Sequence, residues 1–142
     1  MTSWEEDENL IRRLMEGQGR QDWDEILRLL ADDAVFEMPF IAEKYHGKEL
    51  ILKRWRPALA RMEGVNFYDL AFSPMAEPGW YVATFRNRCK VKTTGMDYDQ
   101  MYISLFHVRN GKIAYFAEYF DTLRLAVARK RVRRIEEVAR LD

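Results

Sequence analysis

The sequence predicts an α+β protein. Up to Met62, apolar residues recur mostly at helical spacing. From Val65 to Asp121 the chain is rich in aromatic and β-branched residues broken by turn signals, and no helical pattern separates one strand from the next. Helices first and consecutive antiparallel strands afterwards imply α+β rather than alternating α/β layers. With 142 residues, the chain fits one domain, 1–142, with one core.

Each element has a local reason. Ser3 and Glu6 have capping-box spacing, and Leu10, Ile11, Leu14 and Met15 follow on one helical side. Gly17-Gln18-Gly19 predicts the end of that helix. Asp22 and Glu25 cap a second helix with an apolar stripe of Trp23, Ile26, Leu27 and Leu30. "ADDAVFEMPF" predicts a strand ended by Pro39. "HGKELILKRWRPALARM" predicts a third helix from Gly47, with Leu50, Ile51, Trp55, Leu59 and Met62 on its apolar side and Pro57 kinking it or ending its regular part. "VNFYDLAFS" and "WYVATFRNRCKVK" predict strands around the turn "EPGW". "YDQMYISLFHV" and "KIAYFAEYFD" predict a hairpin closed by Asn110-Gly111. "TLRLAVARKRVRRIEEVARLD" predicts a basic helix with Asp121 as its N-cap.

Composition excludes several classes. Lys+Arg and Asp+Glu both number 23, so the formal net charge is zero, which argues against nucleic acid as a partner. Cys89 is the one cysteine, so no intramolecular disulfide or cysteine cluster is available. His46 and His107 lack partners at metal-ligand spacing, and no metal or cofactor is expected. The acidic N-terminus lacks a signal-peptide pattern, and no apolar run approaches the ~18 residues of a membrane span. A cytoplasmic protein with no membrane partner is expected.

The stretch "GKIAYFAEYFD" poses a chemical question. Alternation places Ala114, Phe116, Glu118 and Phe120 on one strand face, so a carboxylate stands among phenylalanines. Burying it is costly unless it is paired. Arg86 and Arg88 share a face with Thr84, and Gln100, Tyr102 and Ser104 share another. Met101, Ile103 and Leu105, with His107, form an apolar face opposite Tyr102, which predicts core or a homodimer interface. "ARKRVRR" is followed by Glu136 and Glu137 and keeps an apolar side. It reads as a solvated amphipathic helix that could also pack over a pocket mouth.

The order of elements resembles the nuclear transport factor 2-like fold, a cystatin-like cone or barrel in which a bent sheet wraps a helix and leaves a deep pocket. "ADDAVFEMPF … YHGKELI" resembles SnoaL-like polyketide cyclases. "YDQMYISLFHVRNGKIAYFAEYFDTLRLA" resembles the final strands of phenazine-biosynthesis A/B proteins and of limonene-type epoxide hydrolases. The resemblance implies that Glu118 holds the position of a pocket acid in the phenazine proteins and of the water-activating aspartate in the epoxide hydrolases. It matches Arg86 to the epoxide-hydrolase arginine, while Arg88 replaces the partner aspartate and breaks that Asp-Arg-Asp triad. It matches Glu37 to a water-binding asparagine and sets Arg54 near the position of a pocket histidine.

The resemblance thus implies a pocket with Glu118 and Arg86 as catalytic residues. Substrate would meet Glu37, Arg54, Trp55, Arg88, Gln100, Tyr102, Phe116 and Phe120. It implies a cofactor-independent enzyme that isomerises, cyclises, dehydrates or condenses a small cyclic or aromatic metabolite. The alternatives are a non-catalytic binding protein and an epoxide hydrolase. The residues themselves leave blander readings open: a structural Glu118–Arg86 pair, an exposed "FRNR" face, a structural or rim-exposed Glu37, and a mutually satisfied Gln100–Tyr102 pair.

Overall fold

The computed structural model describes residues 3–131. Helix α1 (Ser3–Arg20) runs through the glycines predicted to stop it and ends at Gln21, whose φ is 54°. Those glycines serve close packing instead. A Cβ on Gly17 would stand 3.2 Å from Ile26 Cγ1, and one on Gly19 would stand 3.2 Å from the Val65 carbonyl oxygen. Helix α2 (Trp23–Leu29) starts where expected, with the Asp22 side chain accepting from the Glu25 N–H at 3.2 Å.

Strand β1 (Leu30–Met38) takes Leu30 out of the predicted helical stripe and ends at Pro39, which opens a 3-10 turn. Strand β2 (Glu43–His46) then folds back antiparallel on β1, a pairing that the sequence leaves unannounced. Its four residues are too short to carry a readable alternation. Helix α3 (Lys48–Ala60) begins after Gly47 and passes through Pro57, and the two-residue strand β3 (Met62–Glu63) follows.

Strands β4 (Phe67–Pro74), β5 (Trp80–Val91), β6 (Asp97–Arg109) and β7 (Lys112–Phe120) are consecutive and antiparallel, as predicted. Asn110 and Gly111 join the last two, with φ of 52° and 70°, the values a tight hairpin turn requires. Helix α4 (Thr122–Ala128) is capped by Asp121, whose carboxylate accepts from the N–H groups of Leu123 and Arg124. The rest of the predicted basic helix lies outside the described residues.

The sheet order is β2-β1-β7-β6-β5-β3, with β4 also on β5. The β1–β7 pair is parallel and places the first strand beside the last. This mixed sheet curls around the helices as a half-barrel. Phe36, Phe106, Phe116 and Ile113 on its concave face pack with Ile11, Leu14, Ile26 and Ile51 of the three helices. No helix among the described residues is long and apolar enough to cross a membrane.

Strand parity decides what the concave face holds. In β5, Tyr81, Ala83, Phe85, Asn87, Cys89 and Val91 are buried, while Thr84, Arg86, Arg88 and Lys90 are exposed. In β6, Tyr98, Gln100, Tyr102 and Ser104 point inward, whereas Met101 and Ile103 remain 48% and 55% exposed on the convex face.

Gln100 is fully buried and joins the two last strands. Its Nε2 donates to the Asp121 carbonyl at 2.8 Å and to the Tyr98 hydroxyl at 2.9 Å, and its Oε1 accepts from the Asp121 N–H at 3.0 Å. Gln100→Leu keeps the volume but strands these backbone groups, so it should lower unfolding free energy by about 1–3 kcal/mol. Urea denaturation reads this as a lower midpoint at constant slope. An unchanged midpoint would show that the clamp carries no stability.

Candidate functional site

Strand β7 sets Glu118 directly across from Ser104 on β6. Directly opposed residues of an antiparallel pair share a face, so Glu118 points inward as Ser104 does. It lines a cavity of about 290 Å3 enclosed by the concave sheet, α3 and the segment after α4. Arg54, Trp55, Tyr102 and Phe120 line the same cavity, so these five predicted residues come together.

The walls are aromatic. Phe36 meets Trp55 edge-on with ring centroids 5.1 Å apart, and Tyr102 stacks on Phe85 at 4.8 Å. Phe116 lies beneath this wall against Trp55, Phe36 and Phe106 and is 2% exposed; it supports the cavity without lining it. Gln100 likewise does not reach the cavity, because its amide is spent on Asp121 and Tyr98.

The polar groups divide into paired and unpaired. Arg54 Nε donates to Glu43 Oε2 at 3.0 Å, and the Tyr45 hydroxyl donates to the same oxygen at 2.9 Å. Asn87 Oδ1 accepts from the Asn66 N–H at 3.0 Å, and Gln100 supports the Tyr98 hydroxyl. Glu118, by contrast, accepts no hydrogen bond among the described residues, although it keeps some accessible surface. The Ser104 hydroxyl opposite it is fully buried and also lacks a partner. Burial pushes the Glu118 carboxyl up to about 7, with the Arg54 charge opposing that rise. Burial also pushes up the Tyr98 hydroxyl, to about 12, and the Tyr102 hydroxyl, so both stay protonated near neutrality.

Three predicted residues stand elsewhere. Arg86 and Arg88 point from the convex face, away from Glu118. Arg88 pairs there with Asp99 at 3.5 Å, and Arg86 borders a shallow groove beside Met101 and Ile103. Glu37 also points outward and accepts from the Tyr115 hydroxyl at 2.7 Å. The cause is parity: in "WYVATFRNRCKV" the apolar alternation selects Tyr81, Ala83, Phe85, Cys89 and Val91, which turns both arginines out. In "AVFEM" the same logic buries Ala34, Phe36 and Met38 and turns Glu37 to the other face, where it is half-buried. The arginine near Glu118 is therefore Arg54, and the epoxide-hydrolase arginine position lies outside the cavity.

Glu43, Asn87, Tyr98 and Arg129 also line the cavity, and the sequence reading passes over them. Asn87 and Tyr98 were legible, since each shares the buried alternation of its strand. Glu43 depends on the short β2. Arg129 and Arg131 belong to the basic stretch read as a solvated helix that could also pack over a pocket mouth, and both line the cavity. No three His, Cys, Asp or Glu side chains among the described residues stand together as metal ligands.

A carboxyl near neutrality in a partly dry aromatic cavity can both give and take a proton. Protonated tyrosines beside it can donate to an oxygen on which charge develops.

Comparison with known proteins fits this architecture. A candidate isomerase from Bacillus subtilis superposes with a TM-score of 0.84 at 24% identity, over 92% of this chain and 96% of that one. A candidate polyketide cyclase from Xanthomonas campestris gives 0.78 at 18%, over 87% and 96%. An epoxide hydrolase of the LEH-like type from M. tuberculosis gives 0.70 at 16%, over 87% and 88%. At these identities the likeness is one of fold. The uncharacterized protein YesE of Bacillus subtilis is 25% identical over 127 residues, 87% of this chain and 86% of its own. The SnoaL-like domain model matches residues 11–116, from the first helix to the strand that carries Glu118. That match places the chain in the SnoaL-like domain family, and its curled mixed sheet with a concave cavity is the nuclear transport factor 2-like cone fold.

Proposed function

We propose that this protein is a cofactor-independent enzyme that moves protons on a small cyclic or aromatic metabolite, in an isomerisation, cyclisation, dehydration or condensation. One observation carries the reading: a carboxyl that accepts no hydrogen bond among the described residues lines an aromatic cavity, where burial pushes it up to about 7. As a carboxylate Glu118 takes a proton from carbon next to a carbonyl. As a carboxylic acid it returns a proton to another atom of the same molecule. Tyr102 lines the cavity close to Glu118 and donates to the enolate oxygen formed in between. Arg54, fixed by Glu43, adds positive charge that favours the ionised carboxylate.

The protein acts as a homodimer through its convex face in this reading. The support is an exposed groove that includes Phe40, Met101 and Ile103, bordered by Arg86 and Arg124 and by Asp69 and Asp121, a set that can complement itself across a two-fold axis. Sedimentation at micromolar concentration should give a dimer, and Ile103→Asp should give a folded monomer. A monomeric parent protein would overturn the assignment.

Exchange chemistry tests Glu118 without a known substrate. A panel of cyclic and aromatic ketones in D2O should include members whose α-protons exchange faster with the enzyme. Glu118→Gln should slow that exchange by about 10²–10⁴-fold while binding changes little. Exchange that persists in the variant would remove Glu118 from the chemistry.

Stability gives a second readout. The Glu118 carboxyl stands near 7 in the folded state against 4.5 for the free group, so between these values the folded chain keeps a proton that the unfolded chain has lost. This contribution to stability is complete below 4.5 and is lost as pH rises through 7. The loss is on the order of 3 kcal/mol. Glu118→Gln should abolish that slope and be the more stable protein at pH above 7. A variant that is less stable there would mark Glu118 as a needed counter-ion.

A further inference from the structure

Among the described residues, the cavity carries more positive charge than its carboxylates neutralise. Its charged lining is Arg54, Arg129 and Arg131 against Glu43 and Glu118. Glu43 is taken up by Arg54 and Tyr45, and Glu118 is only part-ionised at neutral pH. Arg129 and Arg131 form no ion pair among the described residues. They stand on the rim, where the cavity meets a surface groove beside Arg61.

Arg129 is the telling residue. It is half-buried, and its charged neighbours among the described residues are Arg131, Arg54 and Arg61, all of its own sign. Burial and those like charges hold its guanidinium below the ordinary value. A partly desolvated arginine that faces no carboxylate among the described residues is unfavourable in the empty protein, and a bound anion reverses the sign of that energy. Glu118 does not fill this role, since its charged partner is Arg54 and not Arg129. The acid/base group and the unmatched cation therefore mark separate parts of one cavity.

We propose that Arg129, assisted by Arg131 and Arg54, forms an anion subsite at the rim. The ligand is then a cyclic or aromatic carboxylic acid, with its carboxylate on the rim and its ring against Trp55 and Tyr102. The planar guanidinium suits a carboxylate, which it can hold through two parallel N–H donors. The aromatic wall accepts the flat body of the same molecule. The inference rests on the reading of this cavity as the substrate site, but not on Glu118 being the acid.

The test compares 1-naphthoate with its neutral isostere 1-naphthamide by isothermal titration calorimetry. Wild type should bind the acid about tenfold or more tightly over the amide, a difference of one charged contact. Added salt should shrink the ratio. Arg129→Gln should weaken the acid far more than the amide and so bring the ratio close to one, and Arg129→Lys should restore part of it. Glu118→Gln should retain the preference or raise it, since a negative charge is removed. Equal affinities in wild type, no binding of naphthoate, or a preference that survives Arg129→Gln would each overturn the subsite. Acid preference without any proton exchange would sink the catalytic reading and leave the subsite standing. Exchange confined to neutral ketones, with no acid preference, would do the opposite.

Discussion

The site turns on a carboxyl buried without a hydrogen-bond partner among the described residues. An isolated carboxylate in an apolar setting is costly, and the group lowers that cost by keeping its proton. Everything around Glu118 maintains this condition. Ser104 opposite it offers a small side chain, Phe120 and Tyr102 keep water sparse, and the nearest guanidinium is anchored to Glu43 rather than to Glu118. Had Arg54 turned fully to Glu118, the pair would be a structural ion pair with its carboxylate ionised. The Glu43–Tyr45–Arg54 contact thus bears on the protonation of a residue that it does not touch.

That condition requires a rigid frame. The parallel β1–β7 pairing brings Phe36 beside Phe116, so the first strand and the last build one aromatic wall. Gln100 fixes the end of β7 at Asp121, and Asp121 in turn caps α4. The cap orients the short helix that brings Leu125 and then Arg129 to the cavity. The chain therefore closes its pocket with the residues that directly follow the strand carrying Glu118.

Much of this was legible in the sequence, and each misreading has a physical origin. The helix spacing of Leu10, Ile11, Leu14 and Met15, the Asn110-Gly111 turn and the four consecutive strands are local features, and they read correctly. The inward pointing of Glu118 followed from the alternation of its own strand. Arg86, Arg88 and Glu37 were placed by likeness to other proteins, against the alternation of theirs, and each lies on the convex face. Gly17 and Gly19 read as helix breakers because sequence spacing does not reveal that Ile26 and the Val65 carbonyl approach so closely. Glu43 and Arg129 were out of reach for a different reason. Their role is defined by distant partners, which period-based reasoning does not see.

Fold and reaction separate along the same line. The family match ends at Phe116, two positions before Glu118 and well before Arg129. What this chain shares with its relatives is the cone, and the cone supplies a concave face with inward positions at the ends of its strands. What it does there depends on a few side chains at those ends and on the segment that follows them. In the proposed reading, one inward carboxyl, two protonated tyrosines and an arginine rim carry a chemistry that the same cone with other residues at these positions would not support.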